Sequence, residues 1–155
     1  MDIASAIKQK SFRNEKAKAI VNILYTHSWL IYQIKSLLAP YDITVQQYNI
    51  LRIINGSPKG IGIKEIRKRM LDRSSDVSRL VERLIAKKLV KKIPYESDLR
   101  HTYVVLSDEG NKIIGDLIAI NIDIESILVQ ISESEAEQLN DILDKIRSAF
   151  DFDKT

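Results

Sequence analysis

From Arg13 to Leu38, apolar residues recur at Ala17, Ile20, Val21, Leu24, Ile31, Tyr32 and Leu38, with Ser28 the one small gap in the series. That is helical spacing, and Pro40 is expected to end the helix because it has no amide hydrogen to continue it. In "TVQQ", Thr44 and Gln47 form a capping box whose hydroxyl and amide satisfy free helix-end groups. It predicts a second helix that buries Tyr48, Leu51 and Ile54 and stops at "NGSPKG". A third, short helix fits "IKEIRKRML", with Ile63, Ile66 and either Met70 or Leu71 facing inward. "LDRSS" then offers Asp72, Ser74 or Ser75 as the N-cap of a fourth helix running to about Lys88.

The fourth helix has two sharply different faces. Val77, Leu80, Val81, Leu84 and Ile85 make an apolar stripe, and opposite them lie Ser75, Asp76, Ser78, Arg79, Glu82, Arg83 and Lys87. Two short helices joined by a tight turn, the second with a small-polar and Arg-rich outer face, match the helix-turn-helix plan. "LVKKI" and "TYVVL" follow as two strand-length runs separated by a polar segment containing Pro94, which predicts a hairpin with a long tip. An isolated hairpin is marginal in water, so this one must pack on the neighbouring helices. Ser107 N-caps the next helix, with two acids in its first turn. Its apolar positions are Ile113, Ile114, Leu117, Ile118, Ile124, Ile127, Leu128 and Ile131, widened by Ile120 and Ile122. A last helix opens on a second capping box, Ser132 to Glu135, and carries Leu139, Ile142, Leu143, Ile146 and Phe150.

Composition adds charge segregation to this picture. The chain has 155 residues, 45% hydrophobic and 29% charged, which are ordinary values for one globular domain spanning residues 1–155. Its net charge of +3 hides an imbalance: residues 59–101 carry 13 Lys and Arg against 6 Asp and Glu, and residues 107–155 carry 4 against 12. One basic surface suited to a polyanion, and a separate acidic element with another task, account for that division. No apolar run approaches the roughly 20 residues of a membrane span, and "MDIASAIKQKSF" lacks the apolar core of a secretory signal. A cytoplasmic protein with no membrane partner is expected. With no cysteine, disulfides, thiolate metal sites and thiol redox sensing are excluded.

The order of helix, helix, helix-turn-helix, wing, long helix and helix resembles the MarR family of winged-helix transcription regulators. The resemblance covers nearly the whole chain, and its most specific parts are "VSRLVERL" (77–84), "KLV" (88–90) and "SDLRHTYVVLSDEG" (97–110). Asp98, Arg100, Val105, Leu106, Ser107 and Gly110 match the family's wing and the start of its next helix. Two positions depart from the pattern. Lys88 stands where the family usually has glycine, so a left-handed cap there costs on the order of 1 kcal/mol unless the helix ends by another route. Leu99 stands where a second arginine is common, which removes one groove or phosphate contact.

The resemblance implies a mainly α fold with a small β-hairpin wing. A winged helix-turn-helix over residues 41–106 would be flanked by a helical dimerisation layer from residues 11–38 and 107–150. It implies a homodimeric, sequence-specific DNA-binding regulator, a repressor released by a small aromatic or anionic effector, acting on a pseudo-palindromic operator in double-stranded DNA. Arg73, Ser74, Ser75, Asp76, Ser78, Arg79 and Arg83 are its candidate DNA-binding residues on and before the recognition helix. Arg79 is the leading base reader, and Asp76 either caps the helix or accepts from a base. In the wing, Arg100 is the candidate minor-groove probe, aimed by Asp98. Lys64, Arg67, Lys68, Arg69, Lys91 and Lys92 are phosphate neighbours. Tyr25, Trp29, Tyr32 and Tyr48 are candidates to line an effector cleft, against ordinary core or interface packing.

An enzyme finds little support. His27 and His101 lie on separate elements without ligand-spaced partners, so neither zinc nor triad chemistry has an anchor, and no metal or cofactor is expected. "SAIK", Ser5 to Lys8, matches a Ser-x-x-Lys pattern without its companion motifs, at a frayed terminus. The alternative is a winged helix that binds protein without specific DNA binding, and it does not account for the basic block.

Overall fold

Both capping boxes form as their spacing requires. Thr44 Oγ1 accepts from the Gln47 amide at 3.2 Å and Gln47 Oε1 accepts from the Thr44 amide at 3.1 Å. The second box closes with Glu135 Oε2 accepting from the Ser132 amide at 2.8 Å. In the computed structural model, which describes residues 1–95 and 98–148, these boxes start two of the seven described α-helices. The helices are α1 (Ile3–Ala6), α2 (Glu15–Leu38), α3 (Val45–Asn55), α4 (Ile63–Arg69), α5 (Val77–Ala86), α6 (Asp108–Ser126) and α7 (Glu133–Ser148). A 3-10 turn, Ala39–Tyr41, follows α2 at Pro40. The hairpin is β1 (Val90–Tyr95) with β2 (Asp98–Leu106). Side chains of Tyr95, of Asp98 to His101 and of Ile120 to Asp123 lie outside the described residues, as does Phe150.

The chain divides into two units, Met1–Ile118 and Ala119–Thr155. In the first, the core is built from α3, α4, α5 and the hairpin: Ile50, Leu51, Ile54, Ile66, Val77, Val81, Leu84 and Val104 are all essentially inaccessible. Met70, not Leu71, turns inward. The strands pair antiparallel from Val90 opposite Leu106 to Pro94 opposite Thr102, after which the register shifts. β2 is also held on its other edge, where Ile61 and Val104 exchange both backbone hydrogen bonds at 3.1 and 2.9 Å. That third contact anchors the otherwise marginal hairpin to the residues preceding α4. β2 already begins at Asp98, so the segment before Thr102, read as part of a long tip, is mostly strand backbone.

Several boundaries differ from the sequence pattern. α5 starts at Val77 and ends at Ala86, and its N-cap is Asp76 rather than Asp72, Ser74 or Ser75. α6 stops at Ser126, and Ile127, Leu128 and Ile131 lie in successive turns. The N-terminus is capped rather than frayed: Asp2 accepts from the Ser5 amide at 3.1 Å and from the Ser5 hydroxyl at 2.9 Å, and Ile3 is buried. Ser5 therefore faces Asp2, not Lys8.

Candidate nucleic-acid interface

The turn into α5 is organised by two aspartates with separate duties. Asp72 accepts from the Ser74 amide (2.9 Å), the Ser74 hydroxyl (2.6 Å) and the Ser75 hydroxyl (2.9 Å). Those hydrogen bonds, Ser74's foremost, hold its carboxyl below the ordinary carboxylate range. Asp76 then accepts from the Arg79 amide at 3.1 Å, satisfying one of the free amides at the helix start. Ser74 and Ser75 thus precede the helix in a tight turn, and Ser78 is the one small hydroxyl residue within it.

Burial of Val77, Val81 and Leu84 fixes which way α5 faces. Ser78, Arg79, Glu82 and Arg83 are exposed on its other side. Arg79 and Arg83 form no ion pair or side-chain hydrogen bond among the described residues, and neither do Lys64, Arg67 or Lys91. Their charge is therefore available to an external anion. Other expected phosphate neighbours are engaged: Lys68 pairs with Glu65 at 2.8 Å, Arg69 donates to Ser57 at 3.4 Å, and Lys92 pairs with Glu82. The Lys68 ammonium also holds the Glu65 carboxyl below its usual value. An open cleft of about 320 Å³ lies along the basic face, lined by Thr44, Gln46, Ser75, Asp76, Arg79, Leu80 and Arg83.

The C-terminal end of α5 is pinned from two directions. The Leu89 amide donates to the Leu84 carbonyl at 3.0 Å and the Lys88 amide to the Ile85 carbonyl at 2.8 Å. This is the Schellman pattern, which requires a left-handed residue at Lys88. Lys88 adopts it, with φ of 59°. The carbonyl of Lys88 accepts from the Ser107 hydroxyl, and that of Leu89 accepts from the Ser107 amide at 3.1 Å. Ser107 in turn caps α6 by accepting from the Gly110 amide at 2.9 Å. Gly110 packs so closely that a Cβ there would sit 2.0 Å from the Leu89 carbonyl oxygen. On the other side, Lys87 Nζ pairs with Asp42 at 2.9 Å, joining α5 to the turn before α3. The end of α5, the base of the hairpin and the start of α6 are therefore tied together.

This arrangement is a helix-turn-helix with a hairpin wing anchored beside it, and the MarR family model matches residues 41–101, the span that contains it. Over this span the chain resembles the MarR family. Solved structures extend the match to most of its length. The Staphylococcus aureus MepR–DNA complex aligns with a TM-score of 0.73 at 26% identity, covering 85% of this chain and 97% of that one. A putative MarR-like regulator from Bacillus cereus gives 0.75 at 17%, covering 88% and 99%. A mutant of Escherichia coli MarR complexed with operator DNA gives 0.75 at 24%, covering 89% and 99%. No curated protein sequence compared with the chain matches it.

The remaining predicted residues are dispersed. Asp98 and Arg100 occupy the start of β2, and their side chains lie outside the described residues. Arg73 is exposed in the turn before α5. Tyr48 is buried in the core with the Arg52 guanidinium 5.8 Å from its ring centre, and burial raises its hydroxyl pKa. Tyr25, Trp29 and Tyr32 lie on α2 with substantial exposure, so Tyr48 does not share a surface with them. Sequence reasoning missed the assignment of Glu82 to Lys92 and of Asp42 to Lys87. Both pairs join residues distant in sequence, and no local pattern marks them.

Proposed function

We propose that this chain is a homodimeric, sequence-specific DNA-binding transcription regulator whose α5 enters the major groove. The observation that carries the reading is the pair of unengaged, exposed guanidinium groups, Arg79 and Arg83, on the outer face of a rigidly held helix. The MepR structure that aligns with the chain at 26% identity is itself a complex with DNA. Ser74, Ser75, Ser78 and Arg73 border the same face, and Arg100, aimed by Asp98, is the minor-groove probe of the wing. Asp76 serves as the cap, and any base contact it makes is secondary to that task.

Dimerisation is supported by what the chain leaves uncovered. α2 buries only Leu38 and exposes Ile20, Leu24 and Tyr32 by 60% or more, while α7 buries no described residue and exposes Leu139, Ile142 and Ile146 by about half. A second copy covering these stripes gives a two-fold reader, so the operator is a pseudo-palindrome with half-sites roughly 34 to 36 Å apart. We assign the regulator to the cytoplasm as a repressor, released by a small aromatic or anionic effector held by aromatic residues such as Tyr25, Trp29 and Tyr32.

The test is fluorescence anisotropy with the promoter DNA flanking its own gene and with random DNA, at two salt concentrations, alongside sedimentation equilibrium. A dimer that binds the promoter more tightly than random DNA, with affinity falling steeply in salt, supports the proposal. A monomer, or salt-insensitive binding, overturns it. Benzoate, as a simple aromatic anion, should weaken promoter binding, and unchanged binding counts against release by an effector of this chemistry.

A further inference from the structure

We infer that Glu82 is a specificity-determining residue of the recognition helix, a carboxylate held in place by the wing so that it accepts a hydrogen bond from one amino-bearing base. The inference rests on the DNA-reading proposal above. Helical geometry sets its position: with 3.6 residues per turn, Glu82 points about 140° away from buried Val77 and Arg79 about 200°, so the two flank the centre of the outward face. Ser78 and Arg83 lie beside them. Glu82 thus lies within about 40° of the centre of the face, on the side toward the wing, and Arg79 within about 20°.

A carboxylate in that place is costly for a protein that binds a polyanion. The structure shows a specific arrangement around it. Lys92, on strand β1, donates to Glu82 Oε1, with the two side chains 42% and 59% exposed. Oε2 has no partner among the described residues. The lysine offsets the charge and restricts the rotamer, while the second oxygen remains an acceptor without a donor.

In the major groove, guanine and thymine present acceptors that repel a carboxylate, whereas cytosine offers its N4 amino group. Adenine offers an N6 amino group, but with the N7 acceptor beside it. Glu82 therefore selects cytosine at one position of each half-site and disfavours the other bases there. Lys92, tied up in this contact, is a positioning residue for Glu82 and contributes less to phosphate binding than unpaired Lys91.

The test is selection from a random double-stranded DNA pool with the full-length wild type, Glu82→Gln and Glu82→Ala, with thermal melts confirming that each variant folds. The wild type should enrich a consensus with one cytosine per half-site, preferred about tenfold. Glu82→Gln should replace that cytosine with adenine, because a side-chain amide can pair with both N6 and N7. Glu82→Ala should lose the preference there and keep the rest of the consensus. If both variants return the wild-type consensus at every position, even with higher overall affinity, Glu82 is only a repulsive charge and the inference fails while DNA reading stands. If the wild type enriches no sequence, the DNA-reading proposal itself fails and this inference with it.

Discussion

Lys88→Gly should stabilise the protein, against the usual expectation that glycine weakens a fold. Lys88 sits at φ of 59° because the Leu89 amide must reach the Leu84 carbonyl and the Leu89 side chain must bury. For a residue with a Cβ, the left-handed conformation costs roughly 1 to 2 kcal/mol, from crowding against the following carbonyl. Glycine removes that cost but gives the unfolded chain more freedom, which takes back roughly 0.4 to 1 kcal/mol. The Lys88 side chain is exposed and makes no ion pair among the described residues, so little packing is lost. The net gain is about 0.5 to 1 kcal/mol, or a rise of about 1 to 4 °C in Tm for a chain of this size. Thermal melts at one fixed protein concentration measure it, since dimerisation makes Tm concentration-dependent. Lys88→Ala is the control: it removes the same long side chain and keeps the strain. If the glycine variant melts no higher than the alanine variant, the left-handed assignment is wrong.

Gly110→Ala should destabilise by about 2 to 3 kcal/mol in urea unfolding, because its Cβ meets the Leu89 carbonyl and forces backbone to move, outweighing alanine's helix preference of about 1 kcal/mol. Equal or greater stability would mean that α6 does not start against that carbonyl. Asp76→Ala should cost about 1 kcal/mol of stability through the lost cap, and Asp76→Ser should restore most of it. The Glu135 carboxyl is held below its ordinary value of 4.5 by hydrogen bonds from the Ser132 amide and hydroxyl. The capping box therefore contributes fully above that value and is lost as pH falls through the lowered one. The Ser132 amide resonance should titrate with a midpoint below 4.5, and Ser132→Ala should move the midpoint only part of the way back, since the amide still donates.

Features decided within a few residues were legible in the sequence, and those decided across elements were not. The two capping boxes, the Pro40 stop and the apolar stripe of α5 are local patterns, and each formed. The start of α5 was ambiguous because Asp72 and Asp76 can both cap. Asp72 is taken by the hydroxyls of Ser74 and Ser75, and the duty passes to Asp76. The apolar pattern of α6 runs past its end because isoleucines continue through the turns after Ser126, and hydrophobic content does not mark a helix end. α1 carries a single buried side chain, too little for any periodicity to register. The third edge of the hairpin rests on Ile61, one residue that no alternation could reveal.

At the interface, residue types located the face but not the state of its charges. Lys91 and Lys92 are adjacent and alike in sequence, yet Lys92 is spent on Glu82 and Lys91 is not. That distinction arises only when β1 is laid beside α5. The left-handed Lys88 is of the same kind, since burial of Leu89 and the approach of α6 impose a conformation that lysine's own preferences oppose.

Whether the free arginines of α5 read DNA is decided by the salt dependence and sequence preference of Arg79→Ala beside wild type on the operator obtained by selection. Loss of a base contact should weaken operator binding by roughly 1 to 3 kcal/mol and relax preference at one position per half-site. Binding to random DNA should change little. If Arg79→Ala and Arg83→Ala each bind the operator as tightly and selectively as wild type, α5 is not the reading element.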